Sequence, residues 1–259
     1  MTYAHHKISD RTNILDGYLG AVVDRLQGIF RGRLVGVYPA GSLAFDAYQP
    51  GRSDVDLLAV AEQPTADEIA AVVAALDHAA LPCPATGLEL VLYDRATLAG
   101  LSTEAGFALN LNTGAELPYK AETAPGDGLS FWYPIDRDMV RQQRRALIGP
   151  PFADLVPRVR SRVLLPVVAE SVAAQMAHLG EHGDNAVLNA CRALRYHAER
   201  TWLPKRAAAA WAVRHLPGEA AVIQAALDSH AVGRDAGRSP DRAAATEFLT
   251  RVHALLTTT

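Results

Sequence analysis

Cysteine is scarce in this chain: there are two in 259 residues, Cys83 and Cys191, far apart and in no zinc spacing. That argues against a disulfide framework and fits a reducing cytoplasm. A basic excess is missing as well. The formal charge is −3, which disfavours a nucleic-acid partner that needs a broad positive face. No long apolar run is present either. The most apolar stretch, from Val163 to Gly180, contains Pro166 and Glu170, so it reads as a buried helix and not as a membrane span. The opening segment MTYAHHKISDRTN is polar and lacks the apolar centre of a secretory signal. Repeats and low-complexity tracts are absent. What remains is an ordinary globular balance, 49% hydrophobic and 20% charged, with length for two modest domains. The expectation is a soluble, cytoplasmic monomer with neither a nucleic-acid nor a membrane partner.

Periodicity predicts the elements. Apolar residues at three-and-four spacing from Asp10 to Arg31 predict an opening helix. Leu34 to Tyr38 reads as a strand, followed by a Gly41-Ser42 turn. A polar loop, Gln49 to Ser53, leads to a second strand from Asp54 to Val60. Thr65 and Glu68 form a capping-box pattern ahead of a helix reaching about Ala79, and Gly87 to Tyr93 reads as a third strand. From Ser102 to Pro134 the signals are loop and short strand. Beyond Asp136 the pattern turns helical, with helices expected near 137–148, 158–181, 184–201, 205–215, 218–231 and 240–256. The predicted architecture is an α/β N-terminal domain with a small mixed sheet, residues 1–135. An all-α helical bundle follows, residues 136–259.

One constellation carries chemistry. Ser42 closes a strand–Gly turn, and Asp54-Val-Asp56 opens the next strand twelve residues later. Residues two apart on a strand share a face, so Asp54 and Asp56 present adjacent carboxylates. Such a pair needs a compensating cation, and magnesium suits all-oxygen ligands completed by water and phosphate oxygens. The glycine of the turn lets backbone N–H groups approach a phosphate closely, and the Ser42 hydroxyl adds a donor. Glu89 is the one acid on the third strand. If that strand lies beside the second, Glu89 is either a further metal ligand or the general base for an attacking hydroxyl.

At these residues the chain resembles the DNA-polymerase-β-like nucleotidyltransferases, whose hallmark is Gly-Ser, then Asp-x-Asp, then a third acid on a nearby strand. Over nearly its full length it is similar to the streptomycin/spectinomycin (3''-type) aminoglycoside adenylyltransferases. Asn185-Ala-Val-Leu with Arg192, and Leu203-Pro-Lys205 through Trp211-Ala, carry the likeness in the second half. The resemblance implies magnesium on Asp54, Asp56 and Glu89, with Glu89 as base. It implies ATP as co-substrate, contacted by Gly41, Ser42, Ser53, Arg192 and Lys205. It also implies a cationic aminoglycoside or aminocyclitol acceptor, for which Asp184 and Glu181 are the candidate carboxylates. The family's substrate-side tryptophans have no counterpart in His178–Asp184 or Asn110–Lys120, so the acceptor stays open. Two further readings also stay open. One is nucleotidyl transfer to another small metabolite or to a protein. The other is an antitoxin-like protein that holds nucleotide without turnover.

Overall fold

The computed structural model describes residues 2–126, 130–180, 183–232 and 239–258, with residues 2–13 described as backbone only. The chain divides into two compact units. The first holds residues 1–130 and 136–158, and the second holds residues 131–135 and 159–259. The boundary expected at 135/136 falls inside a helix, and the following segment packs with the first unit.

The first unit is built on a five-stranded sheet in the order β1-β2-β3-β4-β5. The strands are β1 (Leu34–Pro39), β2 (Val55–Ala61), β3 (Leu88–Asp94), β4 (Leu109–Thr113) and β5 (Lys120–Glu122). β2 and β3 run parallel and the other neighbouring pairs antiparallel, so the sheet is mixed. The helices of this unit are α1 (Thr2–Phe30), the short α2 (Gly41–Ala44), α3 (Ala66–Leu76) and α4 (Arg95–Gly100). Most of α5 (Trp132–Gln143) belongs to it too. The capping box expected at the start of α3 is present. Thr65 Oγ1 accepts from Glu68 N at 3.3 Å, and Glu68 returns a carboxylate to Thr65 N at 3.0 Å.

Strand alternation sorts the sheet into two faces. Leu57, Leu90 and Leu111 are cross-strand partners on one face, each with at most 1% of its surface exposed. They pack with Val22 and Leu26 of α1 and Val72 and Leu76 of α3. Burying a leucine stabilises the fold by roughly 1.5–3 kcal/mol, so this face fixes the register. The acids therefore go to the opposite face, because a one-residue slip would drive them into the core.

The stretch 102–134, expected as loop and short strand, supplies the short strands β4 and β5, and α5 starts at Trp132. One expectation needs correction. The helix expected at 137–148 ends at Gln143. Arg144 sits at φ +55 and breaks it, and Leu147 and Ile148 then pair their backbones with Val37 of β1.

The second unit is all helical: α6 (Ser161–Ala177), α7 (Gly183–Glu199), α8 (Lys205–His215), α9 (Ala220–Ala231) and α10 (Arg242–Thr257). α7 is the central helix, packed against the other four. Its buried side includes Val187, Leu188, Ala190, Cys191 and Leu194. No helix among the described residues is long and apolar enough to cross a membrane.

Candidate active site

Gly41 follows β1 and opens α2 with φ +47, a conformation that favours glycine. A Cβ at this position would stand 2.5 Å from Asp56 Cγ and collide with the carboxylate beyond it. The Asp56 carboxylate therefore lies directly on the bare backbone of the Gly-Ser turn. A backbone bond locks the two elements together, Ala40 N donating to Asp56 O at 2.8 Å. Gly41→Ala should lower the unfolding free energy by about 1–3 kcal/mol and cut turnover at least as far as Asp56 is displaced. Thermal unfolding and pyrophosphate release measured on one preparation check both effects.

Ser42 follows in the same turn. Its Oγ is buried and has no hydrogen-bond partner among the described residues. A buried hydroxyl left unpaired costs about 1–3 kcal/mol, and an anionic oxygen placed over the turn would remove that cost. Ser53, expected at the nucleotide, accepts from Gln49 N through its Oγ at 3.0 Å.

Asp56 and Glu89 are cross-strand partners in the parallel β2–β3 pairing. They stand on neighbouring strands about 4.8 Å apart, side by side on the polar face. Asp54 lies just before β2, and its Oδ1 accepts from the Thr86 hydroxyl. Thr86 is 3% exposed. It is a residue that sequence reasoning missed, because a single threonine beside a Gly-containing turn carries no periodic signal. Thr86→Val keeps the shape and removes the donor. The expected result is a several-fold weaker magnesium–ATP affinity with little change in melting temperature, measured by titration calorimetry.

Among the described residues, no group of three or more His, Cys, Asp or Glu side chains is gathered for metal binding. Magnesium does not require such a cage. It is usually held by one or two carboxylates, with water and substrate phosphates completing six oxygens. The three-acid set expected of Asp54, Asp56 and Glu89 is not gathered, while the donor chemistry present (two aspartates, a glycine backbone and the buried Ser42 hydroxyl) is of the all-oxygen kind magnesium takes.

In the second unit both candidate cations engage protein partners. Lys205, at the start of α8, donates to Asn185 Oδ1 of α7 at 2.9 Å. Arg192 lies two turns along α7 from Asn185. Its Nε donates to Leu203 O at 3.0 Å, and its guanidinium lies 5.9 Å from the Trp202 ring centroid. Asp184, expected at the acceptor, is 4% exposed, accepts from Asn185 N at 2.7 Å, and takes a 3.3 Å hydrogen bond from Ser229 of α9. A carboxylate so placed ties α7 to α9. Glu181 lies outside the described residues.

Residues 154–254 match the family described as aminoglycoside adenylyltransferase, C-terminal domain. That match lies almost wholly within the helical unit. The fold of the chain is found in a solved structure too. It is similar to spectinomycin adenyltransferase AAD(9) from Enterococcus faecialis, crystallised with ATP and spectinomycin, at 14% identity and TM-score 0.66. The likeness covers 93% of this chain and 99% of that one. At that identity it establishes the fold alone: an α/β unit followed by a helical one. A CD-NTase, CdnG, from Bradyrhizobium diazoefficiens in complex with GTP matches at 15% identity and TM-score 0.28, covering 98% of this chain and 85% of that chain. A score that low carries no argument. No curated protein matches the chain.

Proposed function

We propose that this chain transfers AMP from ATP to a hydroxyl of an aminoglycoside or aminocyclitol antibiotic, releasing pyrophosphate. The observation that carries the reading is the β2–β3 register. It sets Asp56 beside Glu89 on one polar face, with the Gly41–Ser42 turn lying against Asp56.

In this reading Asp54 and Asp56 would hold Mg2+, and the bound ion would neutralise phosphate charge and favour departure of pyrophosphate. The Gly41 backbone and the Ser42 hydroxyl hold the phosphates. Glu89 accepts the proton of the acceptor hydroxyl as its oxygen bonds to the α-phosphorus and the bond from that phosphorus to the pyrophosphate oxygen breaks. A positioned base of this kind is worth about 10²–10⁴-fold. Lys205 and Arg192 are the proposed cations for the triphosphate. Support for an adenylyl donor and an aminoglycoside acceptor comes from the family description that residues 154–254 match.

The test is pyrophosphate release from magnesium–ATP across a panel that includes spectinomycin, streptomycin and unrelated hydroxylated metabolites. Release that depends on one of the antibiotics is the expected outcome. Release only with an unrelated metabolite would keep the chemistry and replace the acceptor. ATP binding without release for any acceptor would leave a nucleotide-holding protein in place of an enzyme.

A further inference from the structure

The polar face that carries Asp56 and Glu89 continues past β3. Directly opposite Glu89 on β4 stands Asn112, and opposite Asn112 on β5 stands Lys120. Cross-strand partners share a face, so Asp56, Glu89, Asn112 and Lys120 form one lateral row. Two residues along each strand, the next row is Leu58, Val91, Asn110 and Glu122. In that row the β2–β3 half is apolar and the β4–β5 half is polar.

The polar corner has a defined arrangement. The Glu122 carboxylate receives Lys120 Nζ at 2.9 Å and Asn110 Nδ2 at 3.4 Å. The hydrogen bond from Lys120 holds Glu122 below the usual carboxylate range. The side chains of Lys120 and Glu122 are 41% and 38% exposed, so a ligand can reach both. Asn112 is partly buried beside the base.

Two substrates must flank Glu89. The phosphate-holding turn and the Asp54–Asp56 pair lie on the β1–β2 side of it. The acceptor hydroxyl must then approach from the β4–β5 side, within about two strand spacings of roughly 4.8 Å each. We propose that the β4–β5 edge seats the acceptor, with Asn112 hydrogen-bonding the ring beside the reacting hydroxyl and Glu122 pairing with an ammonium group. This inference rests on the transferase reading above. Lys120 is the resting partner of Glu122, and an exposed ion pair is weak enough to exchange for the acceptor's ammonium.

Charge makes the prediction directional. In steady-state pyrophosphate-release assays on the full chain with magnesium–ATP, the acceptor is spectinomycin or streptomycin, whichever the wild type uses. Glu122→Gln and Asn112→Ala should each raise the acceptor KM about tenfold. Lys120→Met should lower it about threefold, because it removes a competing and repelling cation. The ATP KM stays within about twofold in all three variants. Opposite shifts from the two partners of one exposed ion pair do not arise from general loss of fold. Unchanged acceptor KM values, or ATP KM values moving in parallel, overturn the acceptor seat and leave the transferase reading standing. A wild type that uses neither antibiotic defeats that reading and this one with it.

Discussion

Asp56→Asn abolishes metal-dependent ATP binding and lowers pyrophosphate release by about a thousandfold or more. The magnitude follows from charge. A magnesium ion that neutralises triphosphate and leaving group is worth several kcal/mol, and about 4 kcal/mol is roughly a thousandfold in rate. Asp56 is the acid with the most constrained position. Its backbone oxygen is bonded to Ala40 N at 2.8 Å, and its carboxylate rests on Gly41. Asparagine keeps the shape and those backbone contacts, so the fold survives while the ionic ligand is lost. The measurement is a pair of titrations, ATP with magnesium and ATP with EDTA, beside the release assay. Equal ATP affinity in the two titrations for the wild type would already contradict a metal at this carboxylate.

Glu89→Gln has a different signature. Magnesium–ATP affinity stays near wild type, and turnover falls about 10²–10⁴-fold. Glu89 sits on β3, one strand away from Asp56, and glutamine fills the same space without accepting a proton. The kinetic split between the two variants separates a metal ligand from a base. If both lose ATP binding, Glu89 serves the metal. If Glu89→Gln turns over normally, some other group takes the proton.

Much of this was legible in the sequence because it depends on short periods. The alternation in Val55-Asp-Leu and Leu88-Glu-Leu places the acids on one face whatever the rest of the chain does. The Thr65–Glu68 box and the apolar stripe of α1 were likewise local signals. Long-range pairing was not readable. Leu109-Asn-Leu-Asn-Thr has the alternation of a half-buried strand, yet only the sheet order reveals that Asn112 stands opposite Glu89. Thr86 meets Asp54 across 32 positions of sequence, and no local pattern marks such a contact. The burial of Asp184 against Ser229 was unreadable for a related reason, because it depends on a helix that begins more than thirty residues later. The end of α5 was lost to Arg144, whose left-handed backbone no propensity rule assigns to arginine.

The most direct measurement is a crystal structure with a non-hydrolysable ATP analogue and Mn2+ in place of Mg2+, the manganese located by its anomalous signal. The account places that peak within coordination distance of carboxylate oxygens of both Asp54 and Asp56. The phosphates should lie over Gly41 and Ser42, and Glu89 should be open to the β4–β5 side. A peak bound elsewhere, or phosphates held away from the Gly41–Ser42 turn, would contradict it.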